Sequence, residues 1–210
     1  MRSNALARTM RSVPLRSPRA CNSLGCLICD RTRTALLLDP AIGSRFCTAV
    51  FGVLEPHEKA GFTVTVSTGG HPPAYHLRGQ GAVEAVRPQG GMLVGAFAEA
   101  RFASHTFHLA PGEGLLLYTD GLTEARAAGG EVLGEAGLTG FLTARTAPNS
   151  ATAVIEDTVA LIESLPECAG DDIALLALSV PSADAAVDGV TAAAHTIAST
   201  GDGDMPESRP

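Results

Sequence analysis

No stretch of this 210-residue chain runs for the roughly 18 uninterrupted apolar residues that a membrane-spanning helix needs, and the N-terminus lacks the apolar core of a secretory signal. The expectation is a protein that avoids the membrane and works in the cytoplasm. The sequence also lacks what a zinc site requires. Cys26 and Cys29 form a CxxC, but neither a second CxxC nor a His pair stands at matching spacing. The five cysteines are an odd number without a secretion signal, which fits reduced thiols in a reducing compartment. A basic footprint is missing from most of the chain as well. The net charge is −7; residues 1–44 hold seven Arg against Asp30 and Asp39, residues 181–210 hold five acids against Arg209, and the middle is acidic. That balance argues against nucleic acid as a partner of the folded part.

What is present suffices for one core: 45% of the residues are hydrophobic. Residues 1–32 mix Arg, Ser and Pro without a sustained period and read as a poorly ordered head. Residues 181–210 are Ala, Asp, Gly, Thr and Pro with almost no large apolar side chains, and read as a disordered acidic tail. The domain is expected over residues 33–180.

Inside it the chain reads as strands first and helices later. Residues 46–54 and 61–67 are apolar and β-branched, the second alternating as FTVTV, and the loop between them makes a hairpin. Residues 82–86 and 92–95 are weaker strand candidates, and residues 103–109 alternate again before the turn APGE. GLLLYTDGL (residues 114–122) then carries an apolar strand up to Asp120 and Gly121. Helices are predicted over residues 133–144 and after the start signal Pro148-Asn149-Ser150, where Ala151, Val154, Ile155, Val159 and Ile162 share a face. A returning strand, residues 173–180, closes the domain. This order predicts an α+β fold, an antiparallel β-sandwich flanked by helices, rather than a doubly wound sheet.

GLLLYTDGL and GDDIALLALSV (residues 170–180) are near mirror images in layout, an apolar run ending in acid and glycine against glycine and acids opening an apolar run. If the two strands pair antiparallel, Asp120 and Asp171 meet at one sheet edge. Adjacent carboxylates repel unless a cation lies between them, and a hard divalent ion such as Mg²⁺ or Mn²⁺ suits an all-oxygen site. Asp-Gly and Gly-Asp are also ordinary turn pairs, so each acid alone has a plain structural reading.

LLLYTDGLTEAR (residues 115–126), TGGHPPA (68–74), RFCTAVFGVLE (45–55), PQGGMLVG (88–95) and GDDIALLAL (170–178) together resemble the stage II sporulation protein E family, a bacterial branch of the metal-dependent, type 2C-like protein serine/threonine phosphatases. The resemblance implies two packed antiparallel sheets with a pair of Mg²⁺ or Mn²⁺ ions at one edge, and Asp120 and Asp171 as metal ligands. It implies hydrolysis of phosphoserine or phosphothreonine on a regulatory protein, with a metal-activated water attacking in line and with sigma-factor control as a common setting. Asp172 stands where relatives carry Asn and is given a weaker, supporting role. Gly121 is assigned to the tight turn. Glu124 reads as a helix-start charge, and His71 as a residue whose ring hydrogen-bonds its own loop. His57 and His76 fall in expected loops.

One segment of the family pattern is not matched. Relatives carry, upstream of the RF-T segment, an Asp-Val-x-Gly-His-Gly type loop whose Asp bridges both metals; residues 1–44 contain only Asp30 and Asp39, neither followed by glycine. Residues 33–37 resemble instead the end of the helix that follows that loop. The expectation is a domain truncated and incomplete at its N-terminal edge. Two readings stay open: an enzyme that works without that acid, or a catalytically inactive pseudophosphatase that binds the phosphoprotein or its partner kinase.

Overall fold

The computed structural model describes residues 46–94, 102–127, 129–166, 171–182 and 189–198. The expected head, Asp30, Asp39 and the CxxC lie outside these residues. Two antiparallel sheets and three helices make up the described part. Strands β1 (Ala49–Pro56) and β2 (Phe62–Gly69) form the expected hairpin, with eight residue pairs from Ala49 opposite Gly69 to Pro56 opposite Phe62. Strand β5 (Ser104–Leu109) pairs with the other side of β2, giving the order β1-β2-β5.

The second sheet has five strands in the order β4-β3-β6-β7-β8. They are β3 (Ala74–Leu77), β4 (Val83–Val86), β6 (Gly114–Tyr118), β7 (Ile173–Ser179) and β8 (Thr191–Ile197). The helices are α1 (Asp120–Glu124), α2 (Gly134–Ala144) and α3 (Ala151–Ser164). Ser150 caps α3, its hydroxyl accepting a hydrogen bond from the Ala153 N–H at 3.3 Å.

The period of two along the central strands divides the core into two layers. Tyr75, Leu77, Leu116, Tyr118, Ile173, Leu175 and Ala177 point to one face and pack against Leu138 and Leu142 of α2 and Val154, Ile155 and Ile162 of α3. Leu115 and Ala74 point to the other and meet Val64, Val66 and Leu109 of the three-stranded sheet. The result is a sheet-on-sheet sandwich with helices covering one outer face, as the α+β reading predicts.

Four expectations are corrected. Residues 92–95 form no strand; Val94 makes an isolated bridge to Cys47, with both backbone bonds at 3.0 Å, and Gly95 lies outside the described residues. Residues 74–77 form β3, so His76 is not in a loop but in the middle of the sandwich, 0% exposed. Asp120 to Glu124 form a short helix rather than a bare turn. Residues 191–197, expected within a disordered tail, form β8 and pair with β7 along all seven positions from Ile173–Ile197 to Ser179–Thr191. An alanine-rich segment has little β propensity of its own, and here the neighbouring strand decides its conformation.

Candidate metal centre

β6 and β7 pair antiparallel, with Tyr118 opposite Leu175 and Gly114 opposite Ser179, so the end of one strand lies beside the start of the other. Two devices extend that pairing past the last ladder residues. The Thr119 N–H donates to the Ala174 carbonyl at 3.0 Å. The Thr119 hydroxyl bridges two backbone groups of the facing strand, accepting from the Ala174 N–H at 2.8 Å and donating to the Asp172 carbonyl at 3.1 Å. Sequence reasoning had passed over Thr119; its signal was a hydroxyl placed where a strand ends and its ladder partners run out.

Gly121 then sets the spacing. A methyl group on its Cα would come to 2.9 Å from the Asp172 carbonyl oxygen, 3.3 Å from that of Asp171 and 3.2 Å from the Ile173 side chain. Only glycine allows the chain to turn into α1 while resting on the backbone of the Asp171-Asp172 pair. The two acidic motifs, fifty residues apart in the chain, therefore adjoin at one sheet edge.

Asp120, Asp171 and Asp172 are all exposed. Asp171 holds its own conformation, one carboxylate oxygen accepting from the Asp172 N–H at 2.8 Å. The Asp120 carbonyl accepts from the Thr123 hydroxyl at 3.0 Å, which steadies the first turn of α1, and Glu124 is exposed at its end. The donors fit a hard divalent cation in kind, since exposed carboxylates with room for waters are what such ions take. In number they fall short: among the described residues no group of three His, Cys, Asp or Glu side chains is placed to hold a metal ion. Asp30 and Asp39, the two acids of residues 1–44, lie outside the described residues.

The remaining candidates sort clearly. His71 donates from Nδ1 to the neighbouring Pro72 carbonyl at 3.0 Å, the loop-bracing role read from the sequence. His105 and His108 belong to β5, opposite Val66 and Thr63, and His108 bonds the Ala60 carbonyl at 2.9 Å. His76 bonds Glu113 through Nε2 at 2.8 Å and takes no part in this edge. Burial holds the His76 ring below its ordinary pKa, against the pull of Glu113. Tyr118, one residue before Thr119, is 1% exposed, and its hydroxyl has no partner among the described residues. Burial raises its pKa, so it stays a neutral phenol.

Comparison with known proteins agrees with this architecture. The phosphatase domain of the cell fate determinant SpoIIE from Bacillus subtilis, in its manganese-presoaked structure, matches with a TM-score of 0.52 and 13% identity over 74% of this chain and 65% of that one. A second structure of the same domain gives the same score and identity over 77% and 69%. The structure of the RsbU and RsbW domains of a Mycobacterium tuberculosis protein matches with a TM-score of 0.56 and 23% identity, over 74% of this chain and 41% of that one. At these identities the likeness is one of fold, and the chain spans less than two thirds of two of these three matched chains. No curated protein matches. The sequence model of stage II sporulation protein E matches residues 1–181, most of the chain and well past the span carried by the motifs alone. The chain therefore belongs to the stage II sporulation protein E family.

Proposed function

We propose that this chain is the phosphatase domain of a cytoplasmic, metal-dependent protein serine/threonine phosphatase that removes phosphate from a regulatory phosphoprotein, one connected with sigma-factor control. The observation that carries the reading is the contact of Gly121 with the backbone of Asp171 and Asp172, which joins the family's two acidic motifs at one edge. The manganese-presoaked state of the Bacillus subtilis SpoIIE phosphatase domain supports Mn²⁺ or Mg²⁺ as the cofactor.

Asp120 and Asp171 would hold the cation through carboxylate oxygens, with water in the remaining positions. When bound, it supplies positive charge to the phosphate and makes a nearby water more acidic. The chain's own residues supply the geometry. Thr119 ties the end of β6 to the start of β7, Gly121 keeps the two motifs at contact distance, and the Asp172 N–H aims the Asp171 carboxylate. Asp172 supports its neighbour from the backbone rather than leading the site.

A second reading, a pseudophosphatase that binds a phosphoprotein without turning it over, draws on the absence of a third ligand-type side chain at this edge among the described residues. Turnover of p-nitrophenyl phosphate and a phosphoserine peptide, with Mn²⁺ titrated, separates the two. Manganese-dependent turnover that disappears in Asp120→Asn is the expected result. No turnover at millimolar Mn²⁺ would leave the binding module as the function.

A further inference from the structure

A cavity of about 420 Å³ opens at the same end of the five-stranded sheet, lined among others by Thr68, His71, Pro73, Arg87, Gln89 and Gly91. Its wall is built by close backbone approach. A methyl group on Gly91 would sit 2.5 Å from the Thr68 carbonyl oxygen, and the Gly91 carbonyl accepts from the Gly70 N–H at 3.2 Å, so the turn after β4 is pressed onto the end of β2. Gly90, at φ 89°, has nothing within 4 Å of where a side chain would begin. A side chain at Gly91 would push that turn off β2.

The lining chemistry is one-sided. Thr68, Gln89 and Arg87 can donate hydrogen bonds, and among the described residues no carboxylate lines the cavity. Glu135 of α2 pairs with one terminal nitrogen of Arg87 and leaves the rest of the guanidinium fork for other acceptors. His71 is braced through Nδ1 on the Pro72 carbonyl, and its Nε2 has no partner among the described residues. A hydroxyl, an amide, an imidazole and the part of the Arg87 guanidinium that Glu135 leaves unpaired suit an oxyanion.

The sheet register fixes where this cavity lies relative to the metal edge. Ala74 pairs with Val86 and Tyr75 with Leu116, so one residue further out Pro73 is level with Arg87 on one side and Tyr118 on the other. Asp120 follows Tyr118 by two residues at the same edge. From β4 to β6 is two strand spacings, about 10 Å, or roughly three residues of extended peptide.

We propose that this cavity is an oxyanion subsite that receives a phosphate or carboxylate side chain of the substrate, about three residues from the phosphoserine or phosphothreonine that lies at Asp120 and Asp171. The placement on a substrate rests on the phosphatase reading; the affinity for an oxyanion does not.

The test is titration of inorganic phosphate, and separately acetate, into the full chain in EDTA, followed by calorimetry and by the His71 ring signals in NMR. The expected result is millimolar binding that moves the His71 signals and weakens about tenfold or more in Arg87→Gln and in Gln89→Glu, which places a carboxylate in the lining on an exposed turn. Tighter binding of phosphate than of acetate marks a phosphorylated side chain as the occupant, and equal binding marks an acidic one. Absence of binding at tens of millimolar, or equal binding in both variants, overturns the subsite. Turnover of p-nitrophenyl phosphate with Mn²⁺ reads the proposed activity separately, so a chain that binds phosphate without hydrolysing anything keeps the subsite and loses the enzyme.

Discussion

Glu113 just before β6 and Asp120 just after it are both carboxylates at the ends of one buried strand, yet their surroundings are opposite. Glu113 has a side chain 16% exposed and is satisfied twice by the same oxygen, at 2.8 Å by His76 Nε2 and at 3.0 Å by the Ala110 N–H. Burial pushes its pKa up, but these hydrogen bonds outweigh it and hold the group below the usual carboxylate value. Asp120 is exposed, and its carboxylate has no partner among the described residues. A carboxylate that serves the fold is given donors; one left open to solvent costs the fold little and is free for the ligand role proposed for Asp120. The same strand separates the two uses by its length.

The sharpest way to break this comparison is to remove each exposed acid of the proposed metal edge. Asp120→Asn and Asp171→Asn should each lower manganese-dependent turnover by about a hundredfold or more, while chemical denaturation shifts by no more than about 0.5 kcal/mol, since exposed side chains away from packing contribute little. A large loss of stability in either variant would move that acid into the structural class with Glu113.

Next in size is Gly121→Ala. With the added methyl 2.9 Å from the Asp172 carbonyl, the turn must lift off β7, costing about 1–3 kcal/mol and most of the turnover together. Wild-type stability and turnover in this variant would show that the two motifs do not need that contact. Glu113→Ala reverses the pattern. It leaves His76 Nε2 and the Ala110 N–H without their acceptor, destabilises by about 2 kcal/mol in denaturant titration, and spares turnover per folded molecule.

The smallest effect is the pH dependence that the structural pair contributes. His76 has its pKa lowered in the fold from 6.5, so the unfolded chain binds the proton more readily. Its share of stability is present above 6.5 and declines as pH falls below that value; Glu113, lowered from 4.5, adds a decline of the same sign in stronger acid. Denaturation midpoints measured at neutral and mildly acidic pH should fall on acidification, with a flatter slope in His76→Gln. An unchanged slope in that variant would assign the acid sensitivity to other groups.

Much of this contrast was readable from the residues. The alternation FTVTV marks β2, the apolar runs before Asp120 and after Asp172 mark β6 and β7, and antiparallel pairing of those two runs brings the two acidic motifs to one sheet edge. The face of α3 was legible because Val154, Ile155 and Ile162 recur at helical spacing. β3 was not: four residues between a proline pair and Arg78, with a histidine in the middle, look like a loop until Glu113 arrives from 37 positions away to satisfy that ring. Thr119 and the turn glycines of the cavity were equally hidden, because their roles lie in backbone contacts across the sheet and not in any local period. The head is a different case, since residues 1–45 lie outside the described residues.

Strand β8 carries a consequence for anyone trimming this chain. It lies beyond residue 181, where the family match ends, and it occupies the whole length of β7. Cutting there would turn the strand that begins beside Asp171 from an interior strand into an outer one, with a row of unsatisfied amides and carbonyls along an apolar segment. Such a fragment would tend to stick to copies of itself, and its aggregation would be mistaken for inactivity.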